Sequence, residues 1–253
     1  MATIQFVATA SPAHMPGLKT FRALPVHGIP QIDPFIFLNH HGPDEFTANN
    51  QGLPFGPHPH RGFETLTLIL DGDVLHADST GGRSVINSGG IQWMTAGSGI
   101  VHKEVSSDTF KQKGGKLEIL QLWMNLPAKH KMIAPAYKGL QENEIPVIQE
   151  NGMRIQAISG QWGSVNGGVQ STTNHKIGLV HLKAGVKHSL SWGENRSVFL
   201  YTIRGRVKVN GVEVDTLQYP VFNEGSGKAD IETLQNAVLL YAEGTPLKEP
   251  MVA

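Results

Sequence analysis

Short apolar runs, each closed by a turn, recur along the whole chain. In residues 64–82, ETLTLILDGDVLHADSTGG, a β-branched and aliphatic run meets Asp71-Gly72, and Val74 and Leu75 lead on to Gly81-Gly82. This pattern predicts a strand, a tight turn and a second strand. Residues 84–105 repeat the plan through Gly89-Gly90 and Gly97-Ser98-Gly99, and LEILQLWMNLP (117–127) adds a strand that Pro127 should stop. Residues 176–185, 197–214 and 237–244 behave in the same way. Strands spaced by roughly 8–12 residues, without sustained helical periodicity, predict an all-β barrel or jelly-roll sandwich. The one helical piece expected is short, around PAKHKMIAPAY (127–137), and Pro135 limits it.

The two halves resemble each other. Residues 67–74 can be laid on 201–209 with Gly72 over Gly205, and GSGIVHKE (97–104) on GSGKADIE (225–232). The matches fall in the same order and at similar separations, which suggests two copies of one β module. A length of 253 residues accommodates two domains of ordinary size. The division expected is 1–135 and 136–253.

Composition narrows the chemistry. Lys plus Arg equals Asp plus Glu at 21 each, and no compact basic run exists, so direct nucleic-acid binding is not expected. There is no Cys, which removes disulfides, thiolate metal sites and a thiol nucleophile and leaves His, Asp and Glu as ligands. The N-terminal residues lack the pattern of a signal peptide, and no run of about 18–20 apolar residues occurs. A cytoplasmic monomer without membrane association is the expectation. Four of the 12 histidines fall between residues 40 and 60.

Two of these, in GPHPHRGFETL (56–66), have the i, i+2 spacing that puts both side chains on one face of an extended strand. Pro59 is fixed in φ and pushes His58 into an extended conformation, so His58 and His60 are stiffly aimed. Pro59 also lacks a backbone donor, which suits an edge strand. A second same-face pair, His102 and Glu104, follows in GSGIVHKEV, His102 lying 42 residues after His60. Either pair alone is an ordinary feature of a solvated loop or strand. Each follows a Gly-containing turn, and if the intervening hairpins fold back so that the two pairs face one another inside a barrel, they form an N3O donor set that suits a divalent ion such as Fe(II), Mn, Ni, Cu or Zn and leaves coordination positions open. Phe63, Trp93, Met94 and Trp123 read as barrel core. His40, His41, His130, His175 and His188 have no same-face partner in a recognisable motif and read as surface or hydrogen-bonded residues. No Gly-x-Ser-x-Gly elbow is present, and the Gly-rich 81–90 segment precedes no helix that could cradle a phosphate.

Gly52, His58, His60, Glu64 and Gly72 nearly fit the first cupin motif, with Gly72 one residue late. HPHRGFETLTLIL, IQWMTAGSGIVHKEV and LQLWMNLPAKHKMIAPAY resemble the pirin family, a branch of the cupins, over residues 15–137 and more diffusely beyond. The resemblance implies an all-β bicupin: two tandem jelly-roll barrels, the first with one iron bound by His58, His60, His102 and Glu104. In generic cupins the carboxylate ligand would be Glu64, and an Asn would stand where this chain has Ser106; Glu64 is therefore expected to orient a ligand histidine or hold Arg61. The places of His58 and His60 in the second module fall on Ser191 and Gly193, and those of His102 and Glu104 on Asp230 and Glu232, so that module is expected to hold no metal. The implied activity is that of a quercetin 2,3-dioxygenase, opening a flavonol with O2, with Glu104 as the base. The rival implication is a metal-dependent, redox-responsive regulator acting through a protein partner, and an isomerase or sugar-modifying cupin is a third.

Overall fold

The computed structural model describes residues 1–250. They form two compact units, each built on a seven-stranded and a four-stranded antiparallel sheet, with a further two-stranded ribbon, Gln161–Trp162 and Val165–Asn166, in one of them. Of the described residues, one unit comprises Ser11–Gln31, Phe35–Glu144 and residues 249–250; the other comprises Met1–Ala10, Ile32–Pro34 and Ile145–Lys248. The N-terminal strand Ile4–Thr9 belongs to the second of these because it pairs with Gln218–Phe222. Among the described residues no helix is long and apolar enough to cross a membrane.

In the first unit the larger sheet has the strands Phe63–Asp71 and Gly115–Asn125 at its centre, flanked by Ile91–Thr95 and Phe35–Phe46. The smaller runs in the order Phe55–His60, Ile100–Val105, Asp73–Asp78 and Arg83–Asn87. Pro59 thus lies on an edge strand, as its missing donor requires.

Gly72 does not close a hairpin. Phe63–Asp71 pairs with Ile91–Thr95 and Gly115–Asn125, whereas Asp73–Asp78 pairs with Ile100–Val105 and Arg83–Asn87. Gly72 is the corner where the chain passes from one sheet to the other. Its φ is +88°, and a Cβ there would lie 3.0 Å from the carbonyl oxygen of Lys116.

The predicted helix at 127–137 reduces to one 3-10 turn, Ala128–His130, followed by the strand Ala136–Leu140. The α-helix of this unit is instead Asp108–Lys113, where Ser107 Oγ accepts from the amide of Phe110. That is an N-cap the apolar pattern alone does not expose.

Alternation along the strands grades the barrel interior. Ile69, Val74, Leu117 and Ile119 join Phe110 in an apolar cluster at one end. Thr67, His76, Glu104 and Gln121 follow at mid-depth, and the imidazoles of His58, His60 and His102 come next.

The second unit repeats this plan, with Lys187–Trp192, Gly227–Thr233, Arg206–Val209 and Val212–Asp215 as its smaller sheet. Gly205, with φ +86°, turns the same corner as Gly72. Sheet register corrects the residue matching. In the first unit His102 pairs with His58 and Ile100 with His60; in the second Ala229 pairs with Leu190 and Gly227 with Trp192. The equivalents of His58, His60, His102 and Glu104 are therefore Leu190, Trp192, Ala229 and Ile231. The expected Ser191, Gly193, Asp230 and Glu232 are each one residue off. The connection from Trp192 to Gly205 is one residue longer than that from His60 to Gly72. A one-residue slip turns a strand's side chains to the other face. All four true equivalents are buried in the apolar core of that unit.

Candidate metal centre

The strands Phe55–His60 and Ile100–Val105 lie side by side, so His58 and His102 face each other across the ladder. The Nε2 atoms of His58 and His60 are 3.1 Å apart, and those of His58 and His102 are 3.0 Å apart. Among the described residues these three form the one His/Cys/Asp/Glu cluster with metal-ligating geometry, their ligand atoms lying within 4.8 Å of one another. His60 and His102 are buried and His58 half-buried.

The donor chemistry fits a cation. His58 Nδ1 is 2.7 Å from the carbonyl oxygen of Gly56. A carbonyl only accepts, so Nδ1 carries the hydrogen and the lone pair sits on Nε2, pointing at the other two rings. Burial, reinforced by the His58 ring, lowers the His60 pKa to about 4. Burial, followed by the neighbouring histidines, lowers that of His102 to about 3. At neutral pH His60 and His102 are uncharged, and with Nε2 of His58 they bring three ring nitrogens to separations complementary to a positive ion.

Glu104 lies deeper in the barrel. Its Oε1 accepts from Thr67 Oγ1 at 2.7 Å and its Oε2 from Gln121 Nε2 at 2.6 Å. Burial pushes its pKa up, against the opposing effects of Thr67, His76, His58 and Gln121. Glu64 is out of phase with Thr65 and Thr67, on the opposite face of its strand. There its Oε1 accepts from Thr95 Oγ1 at 2.7 Å. Ser106 accepts from the amide of Leu53.

Phe63 and Trp123 make one wall. Each lies 5.0 Å from the His60 ring, centroid to centroid. Trp123 is stacked between Phe63 and Phe37 at 4.7 and 4.3 Å, and the Arg22 guanidinium lies over Phe37. Met94 is buried beside Tyr137, and Trp93 lies on the other face of its strand. His40 and His41 do point to opposite faces, but neither is at the surface: His40 bonds to Glu118 and His41 to the Thr20 hydroxyl. His175 is buried and bonds to Thr173.

Sequence reasoning missed His76, Asp78, Thr67, Gln121 and Tyr137. The alternation in DVLHAD (73–78) was a usable signal for two of them. It puts His76 and Asp78 on one face, and the register sets them opposite Glu104 and His102.

Two antiparallel jelly-roll modules of the same topology, one with an imidazole cluster in its barrel, define a bicupin. The Pirin model matches residues 17–124, and the Pirin C-terminal cupin domain model matches residues 179–253. The chain belongs to the pirin family. A pirin-like protein of Caulobacter vibrioides is 35% identical over 93% of this chain and 84% of its own length. Human pirin is 31% identical over 93% of this chain and 80% of its own. The crystal structure of quercetin 2,3-dioxygenase from Acinetobacter baumannii superposes with a TM-score of 0.93 at 30% identity, covering 100% of this chain and 90% of that one.

Proposed function

We propose that this chain is a mononuclear metal-dependent oxidoreductase of the quercetin 2,3-dioxygenase type, with Fe(II) held by His58, His60, His102 and Glu104. The observation that carries the reading is the convergence of three imidazoles in a barrel walled on one side by stacked aromatic rings. The kinship with the Acinetobacter enzyme supports the choice of reaction. A divalent ion bound there would supply Lewis acidity to a flavonol 3-hydroxyl and a route for electrons between the flavonolate and O2. In the net reaction both oxygen atoms are taken up, the central ring opens and carbon monoxide leaves.

The chain's own residues bind, orient and move a proton. Phe63 and Trp123 form an apolar wall beside His60 that suits a flat aromatic substrate. Glu104 takes the substrate's hydroxyl proton; its buried site makes it a stronger base than an exposed carboxylate. Thr67 and Gln121 hold that carboxylate in place.

The test is anaerobic loading with iron followed by oxygen uptake and absorbance with quercetin. Turnover that His58→Ala abolishes is the expected result. Tight iron binding with no turnover on any flavonol would overturn the enzyme reading and favour a regulatory metal protein.

A further inference from the structure

Beside the imidazole cluster, a fourth histidine and an aspartate on the neighbouring strand continue the line of polar groups. His102 Nδ1 lies 3.5 Å from His76 Nδ1, and His76 Nε2 lies 2.8 Å from Asp78 Oδ2. Both side chains are almost wholly buried. The other carboxylate oxygen of Asp78 accepts from the Thr80 amide and hydroxyl and from the Gly82 amide. Tyr137 lies flat on the His76 ring, 3.9 Å between centroids and 11° between planes, and its hydroxyl pairs with Ser84. The His76 ring is therefore fixed both in its plane and across it.

The hydrogens can be assigned in order. A carboxylate only accepts, so His76 carries its hydrogen on Nε2. A neutral His76 then offers a lone pair at Nδ1, and the neighbour there is His102 Nδ1, which must be the donor. A neutral His102 with its hydrogen on Nδ1 has its lone pair on Nε2, the atom 3.0 Å from His58 Nε2. We infer that His76 and Asp78 are positioning residues that hold His102 in the Nδ1–H tautomer and aim its Nε2 lone pair into the proposed metal site. The inference rests on that site's being real. The His76–His102 step is the longest in the chain and is at the outer limit for a hydrogen bond, so the experiment is directed at it.

Zn(II) serves as a diamagnetic probe, its affinity measured by chelator competition for the unmodified protein and for His76→Phe, His76→Asn and Asp78→Asn. Phe keeps the stack on Tyr137 but offers no acceptor; the Asn side-chain oxygen can still accept from His102. The expected result is a loss of about 10- to 100-fold in affinity for His76→Phe, the scale typical when a ligand's hydrogen-bond partner is removed. His76→Asn should recover most of it, and Asp78→Asn should fall between. In the 15N-labelled, zinc-loaded unmodified protein, a coupling across the hydrogen bond should join His102 Nδ1 to His76 Nδ1. A folded His76→Phe variant that binds within about twofold of the unmodified protein, or a His76→Asn variant as weak as His76→Phe, overturns the inference. If His76→Phe does not fold, absence of the coupling in the unmodified protein overturns it instead. Normal zinc binding that no variant changes sinks this inference alone, whereas an unmodified protein that binds no zinc sinks the metal site with it.

Discussion

At Glu104 two demands meet in one carboxylate: to complete a donor set and to accept a proton. Replacing it with Gln keeps the shape and removes the charge. Glu104→Gln should lower kcat by about 100-fold or more and depress turnover far more than metal content, as steady-state oxygen uptake and metal analysis would record. Unchanged turnover would remove the base role. His41 makes a separate prediction, about stability. Burial, with His40 and Arg22 adding to it, lowers its pKa from 6.5 to about 4 in the folded chain. Below pH 6.5 the unfolded chain binds a proton that the folded chain refuses, so this contribution is intact above pH 6.5 and is lost progressively as pH falls toward 4. The full loss is about 3 kcal/mol. Urea midpoints should fall between pH 7 and pH 5, and less steeply in His41→Gln. At this scale the sequence shows His58, His60, His102 and Glu104 because each pair sits two apart in a specific motif. His76 and Asp78 are hidden because their importance lies in what they oppose across the ladder, Glu104 and His102. Spacing along one strand does not report its neighbour.

Strands were legible wherever short apolar runs met turns, and Gly115–Asn125 ends before Pro127 as the pattern requires. Pairing was not. Asp71-Gly72 has the composition of a hairpin turn, yet the strands on either side belong to different sheets, a choice that long-range packing makes. The left-handed φ at Gly72, and the Lys116 carbonyl oxygen 3.0 Å from where a Cβ would stand, explain why Gly occupies this corner. Gly72→Ala should destabilise the fold by about 1–3 kcal/mol, measured by denaturant unfolding. The unforeseen helix Asp108–Lys113 depends on Ser107, whose hydroxyl both caps Phe110 and pairs with Asp73. Ser107→Ala should cost about 1 kcal/mol or more in the same assay.

Across the whole molecule, one topology appears twice with two kinds of interior. Where the first module carries His58, His60, His102 and Glu104, the second carries Leu190, Trp192, Ala229 and Ile231, packed into its core. Sequence matching detected the repeat but slipped by one residue, because connections of unequal length shift a linear count while sheet register does not. Leu190→Ala should therefore behave as a core truncation, costing about 2–5 kcal/mol with no loss of metal. Counting iron per chain tests the central claim most directly, after anaerobic loading and removal of free ion, for the unmodified protein, His58→Ala and His102→Ala. The one imidazole cluster among the described residues predicts one ion per chain in the unmodified protein and almost none in either variant. Stoichiometric iron retained by both variants, or two ions bound per unmodified chain, would contradict it.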